Sequence, residues 1–386
     1  MLPSEHKIPI ALLAGLMFVL AAASLIVLGT GAEMAAGTGL ARGNVSLLVT
    51  AFALPYAVFA PLFQLYAGGR HTPRATIITG GLLLAAGLFL TGLAHDQFVL
   101  LLSRAVSALG AALITPAALA MATVLVQPNE RGRAIAAVYL GFTLASVIGV
   151  PLGTQLAQMV GWRAAFFVFA GAAFVLALLA RGLLPVTPAA NALSLRAAAG
   201  LFQDKRALAV FGAATAQLAA QFMLLAPMAP LLTGHFDLAQ TLLPPVLLAF
   251  GLAGVLGNHL GGAWSDQYPL AGTLMGSLFG LALTLAALSL PLGGYGAAAA
   301  FALLAFFGTL FRPPQIVLLT RLVDEDTRSL AIGFNATASY LGLTLGSIAS
   351  AAVIAGIGYG ALGWFALGFL LAAGILIGLA RQGEGA

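Results

Sequence analysis

The chain has 386 residues, of which 61% are hydrophobic and only 7% are charged, and its formal net charge is +5. An ordinary soluble domain carries about a quarter charged residues, so this composition excludes a soluble globular protein. The chain contains no cysteine, which excludes disulfides, thiolate catalysis and cysteine-based metal sites. Its five histidines are not at metal-ligand spacing, and its basic residues are spread over loops, so we expect no metal, cofactor or nucleic-acid partner.

Apolar runs of about twenty residues or more, separated by polar residues, glycine or proline, predict twelve membrane-spanning helices. In chain order they cover 8–31, 46–67, 75–94, 98–126, 133–158, 162–183, 207–233, 242–264, 271–292, 296–320, 330–356 and 359–380. The first run is too long for a signal-peptide core and is interpreted as the first span. The sequence therefore predicts an all-α, polytopic membrane protein.

Lysine and arginine predict the orientation of the spans. With a cytoplasmic N-terminus, twelve loop or terminal basic residues fall on the cytoplasmic side and two, Arg42 and Arg163, on the other. The positive-inside rule therefore predicts that both termini are cytoplasmic.

The longest polar connection, 184–206, lies at mid-chain and predicts a cytoplasmic loop between two six-helix bundles, 1–183 and 207–386. A weak internal repeat supports two halves, because Ala51-Phe52-Ala53-Leu54 and Ala249-Phe250-Gly251-Leu252 lie 198 residues apart.

The fifth span contains an unusual concentration of glycine and proline between Gly141 and Thr154. Glycine lets a neighbouring helix approach closely, and proline removes a backbone donor and bends the helix. The string resembles the fifth-helix motif of the twelve-span drug:proton antiporters of the major facilitator superfamily, with Gly149, Pro151 and Gly153 at the signature positions. The resemblance implies the major facilitator fold of two pseudo-symmetric bundles, alternating access and export of a small molecule.

The stretch from Gly262 to Gln267, which includes Asp266, resembles the loop motif of the same family, with Gln267 in place of its arginine. The resemblance implies that Asp266 locks one conformation, and a carboxylate gains free energy near helix N-termini. The corresponding first-half stretch has Gly68 in place of the aspartate and keeps only its basic end, at Arg70 and Arg74. A solvated helix-terminal aspartate is the alternative interpretation.

Two arginines fall inside predicted spans. Arg104 in the fourth span resembles the fourth-helix arginine of the family, which faces the cavity and is linked to proton coupling. Arg312 precedes Pro313 and Pro314 in the tenth span and is interpreted as a second buried cation. A charge inside a span costs at least about 2.5 kcal/mol and usually faces a bundle interior or a wet cavity. Snorkelling of Arg104 and irregular packing at Arg312 are the alternatives.

No aspartate or glutamate falls at the centre of a predicted span, so the residue that carries protons is not obvious. The candidates for coupling are Glu33, just past the first span, His259 near the end of the eighth span, and Arg104. A solvated loop glutamate and a hydrogen-bonded interior histidine are the competing interpretations of Glu33 and His259.

Neutral polar residues inside spans are candidates for the cavity wall. Gln217 and Gln221 lie one turn apart on the seventh span and form the preferred binding pair. Tyr56, Asn335 and Tyr340 are further candidates, each with an interhelical hydrogen bond as the alternative role. So few polar groups suit an apolar or amphipathic substrate better than a sugar.

The composition and topology predict a monomeric, non-enzymatic protein of a bacterial inner membrane, and the resemblance implies that it is a transporter that exports a small molecule by proton antiport. Its expected partners are the substrate, protons and the lipid bilayer. Sugar or metabolite efflux and uncoupled facilitation are the alternatives within transport, and a membrane receptor or scaffold is the alternative outside it.

Overall fold

The computed structural model describes residues 4–41, 44–67, 72–127, 130–187, 200–324 and 327–382. These residues are almost entirely helical and contain no strand. Eleven helices within them are long and apolar enough to cross a membrane, and a twelfth helix, Leu47–Ala67, is apolar from Leu47 to Phe63. The prediction of an all-α membrane protein with twelve spans is confirmed.

The helices of the first half of the chain form six spans, of which the first and fifth are interrupted. They are α1 (Ser4–Leu25), α2 (Val27–Thr38), α3 (Leu47–Ala67), α4 (Pro73–Leu93), α5 (Gln97–Val124), α6 (Arg131–Leu144), a π-helical turn (Ala145–Gly149), α7 (Val150–Val160) and α8 (Trp162–Leu183). Left-handed glycines, Gly39 at φ 72° and Gly161 at φ 91°, follow α2 and α7 and end them.

The helices of the second half again form six spans. They are α9 (Lys205–Leu225), which continues through a short turn (Met228–Pro230) into a second π-helical turn (Leu231–His235), α10 (Leu243–Gln267), α11 (Leu270–Ala287), α12 (Gly294–Leu310), α13 (Arg312–Leu322), α14 (Arg328–Gly356) and α15 (Leu362–Arg381). Asp204 caps α9, because its Oδ1 accepts hydrogen bonds from the backbone N–H groups of Arg206 and Ala207 at 2.8 and 3.4 Å.

The chain divides into two compact units, one containing residues 1–40 and 55–193 and the other 41–54 and 194–386. The first turns of α3 belong to the second unit, where they contact α14 through hydroxyl groups. Ser46 Oγ donates to Ser350 Oγ at 3.1 Å, and Thr50 Oγ1 lies 2.8 Å from Ser347 Oγ. The sequence-based boundary at 184–206 lies in the same part of the chain as the later division, but the assignment of residues 41–54 was not foreseen.

Breaks in the spans fall at related positions of the two halves. The first span is interrupted at Ile26, and the seventh at Ala226–Pro227, which is close to the 198-residue offset of the internal repeat. The same offset relates Pro116 inside α5 to Pro314 in α13. In membrane transporters, interrupted helices at corresponding positions of two repeats point to the substrate pathway. The residues around these breaks therefore form the candidate site.

Candidate functional site

Glycines on the fifth span form a seam against the first span in unit 1. A Cβ atom added to Gly141 would overlap the carbonyl oxygen of Ala14. A Cβ on Gly149 would lie 2.9 Å from Phe18 Cζ, and one on Gly153 would lie 2.8 Å from Ile26 Cδ1. At Gly141 the neighbour is backbone, so only glycine allows this approach, whereas at Gly149 and Gly153 a larger residue would force the ends of the Phe18 and Ile26 side chains to shift.

The π-helical turn keeps these glycines on one face. The facing residues of the first span, from Ala14 to Ile26, recur every four residues, and a regular α-helix has 3.6 residues per turn. The π turn at Ala145–Gly149 is wider than a regular helical turn, because Val150 N–H donates to Ala145 O, five residues back. Successive residues of the fifth span are therefore separated by a smaller angle around the helix axis in this turn. Pro151 follows at once and has no N–H to donate. The fifth span is therefore irregular where it packs most closely.

Arg104 is fully buried inside unit 1, on α5. Its Nη1 donates to the backbone oxygen of Ala23 at 2.8 Å, and its Nη2 donates to that of Ser24 at 3.0 Å. Both carbonyls immediately precede the break at Ile26, so the guanidinium binds the end of α1. The expectation that Arg104 faces the bundle interior agrees with this geometry, whereas snorkelling to the membrane surface does not.

Gln217 and Gln221 are buried on α9 and bond to α12. Gln217 Nε2 donates to Gln221 Oε1 at 3.3 Å and to Gly308 O at 3.4 Å. Gln221 Nε2 donates to Leu304 O at 3.0 Å. A Cβ atom on Gly308 would overlap the Gln221 amide, so glycine at this position makes room for the pair. The two amides lie on the same side of the helix, as expected, and they hold two helices together.

Asn335 on α14 pairs with Gln315 on α13, a residue that the sequence analysis did not single out. Gln315 Nε2 donates to Asn335 Oδ1 at 2.8 Å, and Asn335 Nδ2 donates to Gln315 Oε1 at 3.3 Å. Both side chains are buried. Its position directly after Pro313-Pro314, inside a predicted span, is a sequence signal that could have pointed to Gln315. The contact with Asn335 is seen only in the fold.

The paired amides of Gln315 and Asn335 are expected to affect stability together and not independently. Replacing Gln315 with leucine leaves the buried Asn335 amide without its partner, which costs about 1–3 kcal/mol. Replacing Asn335 with leucine costs less, because Gln315 Nε2 keeps its hydrogen bond to the backbone oxygen of Val210 at 3.4 Å. The double variant Gln315→Leu/Asn335→Leu removes both amides, so it is expected to be no less stable than the worse single variant. Thermal unfolding of the purified protein measures this, with Gln203→Leu as an exposed control. Strictly additive losses would show that the two amides do not act as a pair.

Most of the remaining predicted site residues are exposed and not buried. Arg312 is the first residue of α13 and is exposed, so its expected burial is wrong. His259 is also exposed, which contradicts the interior interpretation. Gly262 is half-buried and Asp266 is exposed near the end of α10. Arg70 lies outside the described residues.

Three further candidates, Glu33, Tyr56 and Tyr340, lie within helices. Glu33 lies within α2 and is half-buried, so its expected place in a loop is wrong, because the helix continues to Thr38. Tyr56 is buried in α3, and its hydroxyl is hydrogen-bonded to Thr115 on α5. Tyr340 is half-buried on α14. Glu33 is thus a carboxylate on a helix directly after the break at Ile26.

A family model named Major Facilitator Superfamily matches residues 11–220 and 210–384. The chain belongs to the major facilitator superfamily. The solved structure of a D-xylose–proton symporter shares this fold, with a TM-score of 0.74 at 16% identity, over 96% of this chain and 97% of that one. The implied two-bundle fold of this superfamily is thereby confirmed.

The chain is similar in sequence to several curated transport and resistance proteins of bacteria. It is 27% identical to the inner membrane transport protein YdhP of Escherichia coli O157:H7, over 84% of each chain. It is 30% identical to a chloramphenicol resistance protein of Streptomyces lividans, over 68% of each chain. It is 27% identical to a probable sugar efflux transporter of Helicobacter pylori (strain G27), over 57% of this chain and 56% of the relative. The chain is therefore a bacterial inner-membrane transporter of the efflux type.

Proposed function

We propose that this transporter exports a small, apolar or amphipathic molecule by alternating access, in exchange for protons. The N- and C-termini would lie in the cytoplasm, as the distribution of lysine and arginine predicts. Gly149, Pro151 and Gly153 would form the bending element, and Asp266 would stabilise one conformation. Arg104 and Arg312 would set the charge along the pathway.

The proposal is supported by the buried amides of the second unit, which are already hydrogen-bonded to the backbone or to one another. Gln217 and Gln221 bind backbone oxygens of α12, and Gln315 and Asn335 bind each other. Polar groups already paired inside a bundle do not offer the many fixed hydrogen bonds that a sugar needs. An apolar or amphipathic substrate needs few of them.

The relatives give the proposal a first substrate to test. One relative is a chloramphenicol resistance protein, and we infer that this chain exports a compound of that kind. Inverted membrane vesicles with an imposed pH gradient, acidic inside, should accumulate radiolabelled chloramphenicol, and a protonophore should abolish the accumulation. Equilibration that ignores the gradient would contradict antiport and favour an uncoupled facilitator.

Glu33 is the carboxylate that we propose for proton binding. It is half-buried in α2, seven residues after the break at Ile26, which Arg104 holds through the preceding carbonyls. A carboxylate whose surroundings change between two conformations changes its proton affinity with them. His259 and Arg104 are the alternative coupling residues.

Glu33→Gln is expected to reduce the gradient-driven accumulation to near background, because glutamine has the shape of a protonated glutamate and cannot release a proton. Counterflow of substrate without a pH gradient should persist. Glu130→Gln, a half-buried glutamate at the start of α6, is the matched control and should transport normally. Unchanged gradient-driven transport in Glu33→Gln would eliminate Glu33 as the carrier and direct the test to His259.

Sugar or metabolite efflux is the second candidate function. It is favoured by the likeness to a probable sugar efflux transporter, although that likeness covers 57% of this chain. The same vesicles tested with radiolabelled sugars separate the two functions. Accumulation of a sugar but not of chloramphenicol would replace the first proposal. Binding of either compound without flux would favour a receptor.

A further inference from the structure

Three helix ends of unit 1 meet at the side chain of Arg163, the second residue of α8. Its Nη2 donates to the backbone oxygen of Gly37, in the last turn of α2, at 3.3 Å. The same Nη2 donates at 2.9 Å to the backbone oxygen of Ala94, which directly follows α4. One arginine therefore joins the ends of α2 and α4 to the start of α8.

Helix electrostatics explain why a cation lies at this junction. The first turn of a helix carries a partial positive charge, so α8 itself does not favour an arginine at its start. The carbonyl groups at the ends of α2 and α4 carry a partial negative charge and attract a cation. Arg163 is thus stabilised by the two helix ends that it binds and not by its own helix.

The end of α2 also packs closely on α8. A Cβ atom added to Gly37 would lie 3.1 Å from Trp162 Nε1 and 3.5 Å from Arg163 Nη1. The Arg163 guanidinium carbon lies 4.4 Å from the centroid of the buried Trp162 ring. That ring is fixed in turn by an edge-on contact with Phe166, with ring centroids 6.0 Å apart. The last turn of α2 is therefore held by close packing and by a hydrogen bond.

The face of α2 that meets Arg163 also carries Glu33. Glu33 lies four residues before Gly37, so the two positions are one turn apart on the same side of the helix. The helix α7, which also packs against α2, contains no charged residue. At the other end of the segment, Arg104 donates to the two carbonyls that precede the break. The helix that carries Glu33 is thus held at both ends by an arginine of unit 1.

The second half of the chain makes the corresponding junction without an arginine. At the 198-residue offset of the internal repeat, His235 takes the place of Gly37. The ring of His235 lies 6.1 Å from that of Tyr359, which shortly precedes α15. At the same offset Leu231 takes the place of Glu33. The arginine therefore occurs in the half that carries the carboxylate.

We infer that Arg163 is a positioning residue for proton coupling, because it holds the last turn of α2, and with it Glu33, against α8 and α4. The inference rests on the proposed role of Glu33 as the proton carrier. Without Arg163 the end of α2 separates from α8, and the carboxylate no longer has defined surroundings in each conformation. Gradient-driven accumulation should then be lost, whereas substrate exchange, which needs no net proton movement, should continue.

A nitroxide label on α2 tests whether Arg163 holds this helix. The chain has no cysteine, so Ala36→Cys, at an exposed position of α2, provides a single labelling site in the purified protein. Arg163→Leu is expected to raise the mobile fraction of the label about tenfold, the factor for one hydrogen bond from a charged donor. Arg181→Leu, at the exposed far end of α8, should leave the spectrum unchanged.

The inverted vesicles test the effect on coupling. Arg163→Leu is expected to reduce gradient-driven accumulation of chloramphenicol to near background and to keep counterflow, as Glu33→Gln does. Arg163→Lys keeps a cationic donor but lacks the planar fork, so it should restore part of the accumulation.

A second variant loosens the same contact without removing the charge. Gly37→Val places a branched side chain against Trp162, so it is expected to reproduce the loss of accumulation. Ala36→Val, at the exposed neighbouring position, is the matched control and should transport normally.

Three results would overturn the inference. One is an identical label spectrum in Arg163→Leu and the native protein, which would show that other contacts hold α2. Another is normal gradient-driven accumulation in Arg163→Leu. The third is an equal loss of accumulation and counterflow, which would make Arg163 a structural residue only. Normal accumulation in Glu33→Gln would reject the proton carrier itself, and the label spectra, which need no transport, would separate that failure from a failure of Arg163 to hold α2.

Discussion

Gly141→Ala is expected to abolish transport and to lower the melting temperature of the purified protein by about 5 °C or more. The new methyl group would overlap the carbonyl oxygen of Ala14, which belongs to the backbone of α1 and cannot rotate away. The two helices must separate instead, and the contacts that Gly149 and Gly153 make further along the seam would be lost with them. Vesicle uptake and thermal unfolding measure the two effects.

Gly171→Ala is the matched control for this substitution. Gly171 lies in α8, and a Cβ atom added there meets nothing within 4 Å. Because alanine favours the helix over glycine by up to about 1 kcal/mol, the control should be as stable as the native protein or slightly more so. Normal transport and an unchanged melting temperature in Gly141→Ala would show that α1 and α6 are not held at this distance.

Arg104→Met is the second substitution with a large expected effect. The guanidinium is fully buried and donates to the oxygens of Ala23 and Ser24, at the end of α1. Methionine fills much of the volume but donates nothing, so the loss should be about 1–3 kcal/mol of unfolding free energy. The end of α1 would lose the two hydrogen bonds that Arg104 donates from α5. We therefore expect transport to fall to near background.

Arg104→Lys separates the charge from the shape of the donor. Lysine keeps the positive charge but lacks the planar fork that reaches two carbonyls at once, so partial transport is expected. Arg206→Lys, on the exposed start of α9, is the control and should change nothing. If Arg104→Lys and Arg104→Met lose transport equally, the two-carbonyl geometry is required. If both transport normally, Arg104 has no role in the pathway.

The packing seam was the part of the site that the sequence predicted best. Inside a span, glycine at positions 149 and 153 allows close helix approach, and Pro151 lacks a backbone donor. Both consequences are local, so the string of the fifth span was sufficient. The π turn at Ala145–Gly149 was not predicted, because no residue type specifies it.

The polar residues were harder to place because their roles depend on the neighbouring helix. The apolar run around Gln217 shows that this residue lies on a span, but not that Gly308 leaves room beside its neighbour Gln221. Arg312 was expected to be buried because it lies mid-span, yet its side chain is exposed on the first turn of α13. Glu33 was placed just past the first span, because the predicted span ended at residue 31, whereas the helix continues to Thr38.

We propose that one protein couples substrate export to proton entry. Purified protein in liposomes tests this coupling most directly. The liposomes enclose a pH-sensitive dye and start without a pH gradient, and chloramphenicol is added outside. We predict that the inward substrate gradient drives protons out of the liposomes, and that Glu33→Gln removes this proton movement while substrate exchange continues. Substrate entry without any change of internal pH would contradict proton antiport.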